Sequence, residues 1–518
     1  MLAAISDYWR LIKAGVKLAR HDVILPAEYS SRLPLPARMF GGLLRATGGK
    51  PKGRPGERLA AALEELGPAY IKLGQLLATR PDVFGVEATQ DLSRLKDKLP
   101  AFPPADAEKQ LEKEFGAEWQ RLFPRLEPAL AAASLAQVHK VQLPTGARAV
   151  KVLRPDVERR IMRELKAMKR AASTIERVDP NSRRMEPVAF VNTLAASMEK
   201  ELDLRLEAGG ADEFAEIAAQ SDEFHVPKVD WERSGKTVLT TEWIDGVSLT
   251  DIAKLNALTF DRVELANRVT RGFLIAAIHH GVFHADMHEG NMIRAHDGRL
   301  FLIDFGIVGR IGRNERHFLA EILHGFIKRD YKRVAEVHFE AGYVPADRSV
   351  GDFAQALRSI GEPIHGKDAQ DVSMGRLLLQ LLDFTNVFGM HLRPELVLLQ
   401  KTMVQVEGVA RAIDPHHNIW HAAEPVVEEW IRKEFSPIGG TEIARDVFRD
   451  TTARLRRLPE VFDNLEHMIE AQSKAARNAD NHPFYALLRA PIRTLTGLAI
   501  AIMIGVFAGL SLYGTIFS

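Results

Sequence analysis

The 518-residue chain is long enough for more than one compact unit, and its 46% hydrophobic and 26% charged content is that of an ordinary globular protein. With 69 Lys and Arg against 68 Asp and Glu, the formal charge of +1 gives no general reason to expect nucleic acid as a partner. The absence of cysteine excludes disulfides, thiolate zinc sites and Cys nucleophiles together.

The first twenty residues, "MLAAISDYWRLIKAGVKLAR", are no signal peptide, because basic residues interrupt any apolar core. They predict a basic amphipathic helix with Ile5, Trp9, Ile12, Val16 and Ala19 on one stripe and Arg10, Lys13, Lys17 and Arg20 beside it. Such a helix suits either an anionic membrane surface or the protein's own core, and the pattern leaves both open. Residues 49–56, "GKPKGRPG", read as a linker. They fail as a phosphate-binding P-loop, with Leu44 where the first Gly is needed and Pro51 in the Ser/Thr position.

A helical period runs from Glu57 to Thr79, stopped by Pro81, and a second helix is predicted over 105–122. After Pro128 the texture changes. Val138, Val141 and Leu143, a Pro144-Thr145-Gly146 turn and Ala149–Leu153 predict a β-hairpin. Helices follow at 156–177 and 187–219, divided by Asp179-Pro180-Asn181, then strands near 224–229 and 237–243. The remainder reads as mostly helical, with strand-like apolar runs within 281–310. A small mixed lobe followed by a larger helical lobe, with a nucleotide between them, fits this order. The expected class is α+β and bilobal.

The segment "GVFHADMHEGNMIRAHDGRLFLIDFGIVGR" carries Asp286, Asn291 and Asp304, the last within Asp304-Phe305-Gly306. Mg²⁺ takes hard oxygen ligands and keeps several waters, so two side chains and the phosphates of a nucleotide suffice to hold it. Asp304 and Asn291 are the candidate metal ligands, and Asp286 the group beside the reacting hydroxyl, at the spacing of a kinase catalytic loop and its Asp-Phe-Gly. Metal binding by His280, His284 and His288, which recur every four residues, is a rival that leaves Asp-Phe-Gly unexplained. Upstream, Lys151 in "AVKV" is the candidate phosphate-binding cation, with Glu201, Asp203 and Glu207 in "KELDLRLEAGGADEF" as its candidate acidic partners. The turn Ala131-Ala132-Ala133-Ser134 stands where a kinase has a Gly-rich loop, and Glu242 and Ile244 complete the candidate cofactor-binding set. No G-x-G-x-x-G fingerprint supports a flavin or nicotinamide enzyme.

With these residues assembled, the chain resembles the UbiB (ADCK) family of atypical protein-kinase-like proteins over roughly residues 60–310. The family's KxGQ motif appears as Lys72-Leu73-Gly74-Gln75, its Ala-rich loop as "AAASLAQVH", its ExD motif as Glu201-Leu202-Asp203 and its catalytic segment as "HADMHEGN", where Met287 and Glu289 replace two prolines. The resemblance implies ATP and Mg²⁺ as cofactors and a role in ubiquinone (coenzyme Q) biosynthesis at a membrane. It pairs Lys151 with Glu207, brings catalytic Lys72 over the active site to Glu201 and Asp203, and makes biosynthetic enzymes, polyprenyl-quinone precursors and membrane lipid the expected partners. No A-P-E motif follows Gly306, so phosphorylation of proteins is disfavoured against ATP hydrolysis or transfer to a small acceptor.

The expected divisions are an N-terminal region over 1–56, a KxGQ extension over 57–127, a small lobe over 128–245, a large lobe over 246–480 and a transmembrane helix over 494–517. The last, "TLTGLAIAIMIGVFAGLSLYGTIF", is uncharged and long enough to cross a hydrocarbon core of about 30 Å. Arg489 and Arg493 precede it, which places the kinase-like part in the cytoplasm at a bacterial inner membrane, and Gly505 and Gly509 form a GxxxG pair compatible with a homodimer.

Overall fold

The computed structural model describes residues 2–23, 53–78, 86–92, 95, 100–178, 186–365, 387–390 and 394–434. The expected transmembrane helix lies outside these residues. Among the described residues no helix is long and apolar enough to cross a membrane.

In chain order the helices of the first half are α1 (Leu2–Arg20), α2 (Pro55–Leu66), α3 (Pro68–Leu77), α4 (Val86–Leu92), α5 (Pro104–Phe115) and α6 (Trp119–Leu122). Strands β1 (Ala131–Ala132), β2 (Ala136–Leu143) and β3 (Gly146–Leu153) precede α7 (Val157–Val178), α8 (Pro187–Glu201) and α9 (Leu204–Ala218). Then come β4 (Val238–Glu242), β5 (Gly246–Ser248), α10 (Ile252–Asn256) and α11 (Arg262–Leu274). Four short strands follow: β6 (Val282–His284), β7 (Met292–Ala295), β8 (Leu300–Leu302) and β9 (Val308–Arg310). The chain continues through α12 (Arg313–Ile327), α13 (Tyr331–Glu340), α14 (Val350–His365), α15 (Pro394–Ile413) and α16 (Ile419–Glu434).

Residues up to Ser248 together with Asn291–Ile307 form one compact unit; Leu249–Gly290 and the described residues from Val308 onward form the other. The first unit is built on an antiparallel sheet in the order β1-β2-β3-β4. Side chains alternate along a strand, so Val150 and Val152 face one side of β3 and Lys151 the other. On the Val150 side, Val141, Leu143 and Val238 join Leu111 of α5 and Leu122 and Phe123 in a closed core. The KxGQ extension is thus part of the sheet's hydrophobic support. Glu114 of α5 fastens it further, its Oε1 accepting the Lys236 N–H at 2.7 Å and its Oε2 the Thr237 hydroxyl at 2.6 Å.

Several elements divide where one was expected. The helix over 57–79 is two helices, because Gly67 sits at φ +101° and Pro68 has no N–H to continue the ladder. The helix over 105–122 breaks at Gly116, φ +62°. The stretch 187–219 turns at Leu202, where the Asp203 carboxylate accepts the Arg205 N–H at 3.1 Å and starts α9. The strand expected at 224–229 is reduced to single bridges at His225 and Val229, since Pro227 removes a ladder donor. The β7–β8 hairpin pairs with β5, and His225 bonds Leu300 and Leu302, which brings 291–307 back into the first unit.

The N-terminal helix packs on its own chain. Ala14, Leu18 and Ala19 are buried and α1 lies against α7 and α2, while Trp9, expected on the packing stripe, is exposed. Arg10 pairs with Glu164 at 2.6 Å and Lys17 donates to the Glu65 carbonyl at 2.9 Å, so two of its basic side chains serve internal contacts.

In the second unit α15 packs along α11, and its Val406, Val409, Ala410 and Ile413 are buried. Glu407 of the same helix is buried with its carboxylate 2.9 Å from Arg411. Burial pushes Glu407 up to about 7, against the pull of the Arg411 charge. A carboxyl raised above its unfolded value of 4.5 contributes stability that is full below about 4.5 and is lost as pH rises through 7. Glu407→Gln removes this dependence. From pH 5 to pH 8 the variant should gain on the order of 3 kcal/mol relative to wild type, seen as a Tm difference that opens with pH. An equal Tm difference at both pH values would show that Glu407 is already ionised at pH 5.

Candidate functional site

The first unit gathers its charged groups on the face of the sheet opposite the valines. There Lys151 Nζ donates to Glu207 Oε1 at 2.7 Å and Oε2 at 2.9 Å, and to Asp304 Oδ2 at 2.9 Å. Strand β3 supplies the cation, the first turn of α9 the buried carboxylate and the 303–306 turn the outer one. Burial works against the Lys151 charge, and the Asp304 and Glu207 carboxylates overcome it, so the amine stays protonated. Burial pushes Glu207 up to about 7, with the Lys151 charge opposing and the Asp304 charge adding. Glu207 is 8% exposed and Asp304 46%. The inner ion pair is therefore shielded and the outer one open to exchange.

The Asp304 turn has its own local causes. Asp304 takes φ +63°, a left-handed conformation that Asp tolerates better than most residues. Its Oδ1 accepts the Gly306 N–H at 3.3 Å, and a Cβ at Gly306 would approach that same oxygen to 3.2 Å. Phe305 stacks on Phe214 of α9, ring centroids 5.0 Å apart, so the helix carrying Glu207 also anchors the turn carrying Asp304. The Asn291 carbonyl accepts the Ile303 N–H at 2.9 Å, which sets the backbone just before β7 beside the backbone just after β8. Asn291 and Asp304 are thereby brought close along the chain fold, with the Lys151 ammonium 2.9 Å from the Asp304 carboxylate.

The Ala-rich turn stands at the edge of the same sheet. Ala131 and Ala132 pair with Val138 and Gln137, and the Ala133 N–H closes on the Ala136 carbonyl at 2.8 Å. Ser134 is fully buried and its hydroxyl has no hydrogen-bond partner among the described residues. Two residues that the sequence does not single out as candidates hold this turn and the segment beside it. Arg154 donates from Nε and Nη2 to the Ala133 carbonyl at 3.0 and 2.8 Å, and from Nη2 to the Pro100 carbonyl at 2.8 Å. Gln137, buried, accepts the Phe102 N–H at 2.9 Å and donates to the Phe102 carbonyl at 3.3 Å. Arg154 directly follows the hairpin and Gln137 lies within its first strand, and neither position carries a pattern of its own. At the end of β4, Glu242 is exposed, whereas Ile244 packs with Ile293, Ala295 and Phe301.

The KxGQ helix α3 reaches α8 rather than a carboxylate pair. Lys72 Nζ lies 2.7 Å from Glu201 Oε2, both side chains nearly buried. Asp203 is not its second partner. Its carboxylate caps α9 and chelates the Arg205 guanidinium at 2.8 and 2.6 Å, which holds Asp203 below the usual carboxylate range. Gly74 serves packing within the extension, where a Cβ would meet Leu63 and Leu95.

Asp286 belongs to the second unit, in a loop after β6 that its histidines tie together. His284 Nδ1 accepts the Asp286 N–H at 3.2 Å, and His288 Nδ1 accepts the Gly290 N–H at 2.9 Å. Those bonds use Nδ1 of His284 and His288 as acceptors, and His280 sits on the helical turn Ile275–His280 before the strand. No group of three His, Asp or Glu suited to a metal occurs among the described residues. Gln405 of α15 donates its amide to Asp286 Oδ1 at 3.2 Å, a contact across 119 residues that no local pattern announces.

A twisted antiparallel sheet whose lysine pairs with a helix glutamate, together with an Asp-Phe-Gly turn, defines a kinase-like α+β protein. The profile of the ABC1 atypical kinase-like domain matches residues 94–338, and that of the UbiB helical domain matches 357–418. "Probable protein kinase UbiB" of Marinobacter nauticus is 35% identical over 481 residues, 91% of this chain and 86% of that protein. The protein of the same name from Pseudomonas putida is 37% identical over 426 residues, 81% and 78% of the two chains. The complex structure of Rv3197 with erythromycin, from Mycobacterium tuberculosis, aligns with TM-score 0.52 at 25% identity over 74% of this chain and 97% of that one. The chain belongs to the UbiB family of atypical kinase-like proteins.

Breaking one side of the Lys72–Glu201 pair leaves a nearly buried charge. Lys72→Ala and Glu201→Ala should each cost about 3 kcal/mol in urea unfolding, and the double variant should cost about 2 kcal/mol less than their sum. Asp203→Ala, which removes a helix cap, should cost about 1 kcal/mol and add independently to Lys72→Ala. Strict additivity of Lys72 with Glu201 would reduce their contact to a surface pair.

Proposed function

We propose that this chain binds Mg-ATP on the face of its β-sheet that carries Lys151 and acts as a membrane-associated, kinase-like ATPase supporting ubiquinone biosynthesis. The single observation that carries the reading is the Lys151 ammonium held between a buried glutamate and an exposed aspartate. In that arrangement Glu207 fixes the ammonium, leaving it to meet the α- and β-phosphates, while Asp304 and Asn291 offer oxygens to the metal. Bound Mg²⁺ would supply charge neutralisation on the phosphates. The Ala131–Ser134 turn covers them, and Asp286 orients and deprotonates the attacking hydroxyl or water.

Water or a small hydroxyl compound is the favoured acceptor. Only six residues separate Gly306 from Arg313, the start of α12, too few for the segment on which a protein kinase presents a peptide. The ubiquinone role rests on family membership and on the name carried by the relatives. Membrane association rests on the uncharged stretch 494–517, and quinone precursors, partner enzymes and lipid are the proposed partners. A nucleotide-binding scaffold that turns nothing over is the second reading, and the departures Met287 and Glu289 in the catalytic segment are the observation that keeps it in view.

The two readings separate on purified full-length protein in anionic liposomes. Mg-ATP should raise the wild-type Tm and release phosphate steadily. Asp304→Asn should lose most of the Mg-dependent part of the Tm shift, because it removes the anionic metal ligand. An unchanged Mg-ATP shift in Asp304→Asn would overturn the site, and binding with no phosphate release would favour the scaffold.

A further inference from the structure

Asp286 is the candidate base, and a base works only if its carboxylate is held at the angle the proton transfer requires. Its loop ties the backbone, through the His284 and His288 rings, but leaves the plane of the carboxylate to other groups. His288 Nδ1 accepts a backbone N–H, so in the neutral ring the proton is on Nε2, which stands 3.6 Å from Asp286 Oδ2. On Oδ1 the contact comes from α15, where the Gln405 amide reaches 3.2 Å.

We infer that Gln405 is a positioning residue for Asp286, an assignment that rests on the reading of Asp286 as the base. The direction of its amide follows from chemistry: an ionised carboxylate only accepts, so the end of Gln405 that faces it is the NH₂ group. The other end is an argument in itself. Gln405 Oε1 is buried and has no hydrogen-bond partner among the described residues. An unmatched buried acceptor is unfavourable, and methionine would fill nearly the same volume without one. A packing role alone therefore selects against glutamine at this place, whereas a requirement for an N–H aimed at Asp286 selects for it. The helix that presents it is rigidly seated, since Val406, Val409 and Ala410 are buried and α15 lies along α11 and touches β9, the strand paired with β6 just before Asp286. The 20-residue helix α15 thus connects the helical half of the chain to the orientation of one carboxylate.

The test compares Gln405→Met, Gln405→Glu, Asp286→Asn and the double variant Asp286→Asn/Gln405→Met, as full-length protein in anionic liposomes, by Mg-ATP turnover and thermal unfolding. Gln405→Met keeps the volume and loses the donor; kcat should fall about tenfold with KM for ATP unchanged within about twofold, as expected for a misplaced reacting group. Gln405→Glu, isosteric but without a donor when ionised, should fall at least as far and carries the test if the methionine variant does not fold. In the Asp286→Asn background Gln405→Met should cause no further loss. Wild-type kcat in Gln405→Met while Asp286→Asn is inactive would overturn the positioning role and leave the base assignment standing. Asp286→Asn indistinguishable from wild type would overturn the base assignment itself, and this inference with it.

Discussion

A lysine ammonium shared by two carboxylates is stable only if the protein fixes all three groups, and much of the first unit is arranged to do so. The 8-residue strand β3 presents Lys151 because its neighbours Val150 and Val152 are committed to the opposite face. Helix α9 presents Glu207 because Asp203 starts the helix one turn earlier. The Asp304 turn is held to that same helix by Phe305 on Phe214. Glu207 is shielded and Asp304 exposed, so the inner carboxylate fixes the cation and the outer contact is the weaker of the two.

The N-terminal extension is structural before it is anything else. Leu111, Leu122 and Phe123 complete the core beneath the sheet, and Glu114 caps the approach to β4. The segment from Pro100 to Phe102 is held by Arg154 and Gln137, which also border the Ala-rich turn. The same guanidinium therefore grips the extension and the turn proposed to cover phosphate. Lys72 on Glu201 adds a contact from α3 to α8, the helix before the one that carries Glu207. An extension woven in this way is difficult to remove without altering the site.

Much of this was legible in the sequence, and the reasons differ by element. Lys151 was readable because a strand of alternating character follows a turn, and Asp304 because Asp-Phe-Gly is a rare neighbour of Asp286 and Asn291. The pairing with Glu207 followed from family resemblance, since the charged run offered three carboxylates with equal claim. Gly67-Pro68 was a visible break that the apolar period masked. Strands β5 to β9 are three or four residues each, too short for alternation to declare itself. Asp203 was assigned to Lys72 when its nearer task was capping α9 and binding Arg205. Gln405 had no local signal at all, because its partner is fixed by how α15 packs and not by anything within a turn of the residue.

The nucleotide site proposed at the Lys151 cluster requires its outer ion pair to give way to metal. The most direct measurement is an experimental structure of the full-length protein with Mg²⁺ and a non-hydrolysable ATP analogue. In that complex Lys151 should keep both contacts to Glu207, turn its remaining hydrogen-bonding capacity to phosphate, and release Asp304, which together with Asn291 should ligate the metal. Nucleotide bound elsewhere, with the 2.9 Å contact between Lys151 and Asp304 intact, would contradict it.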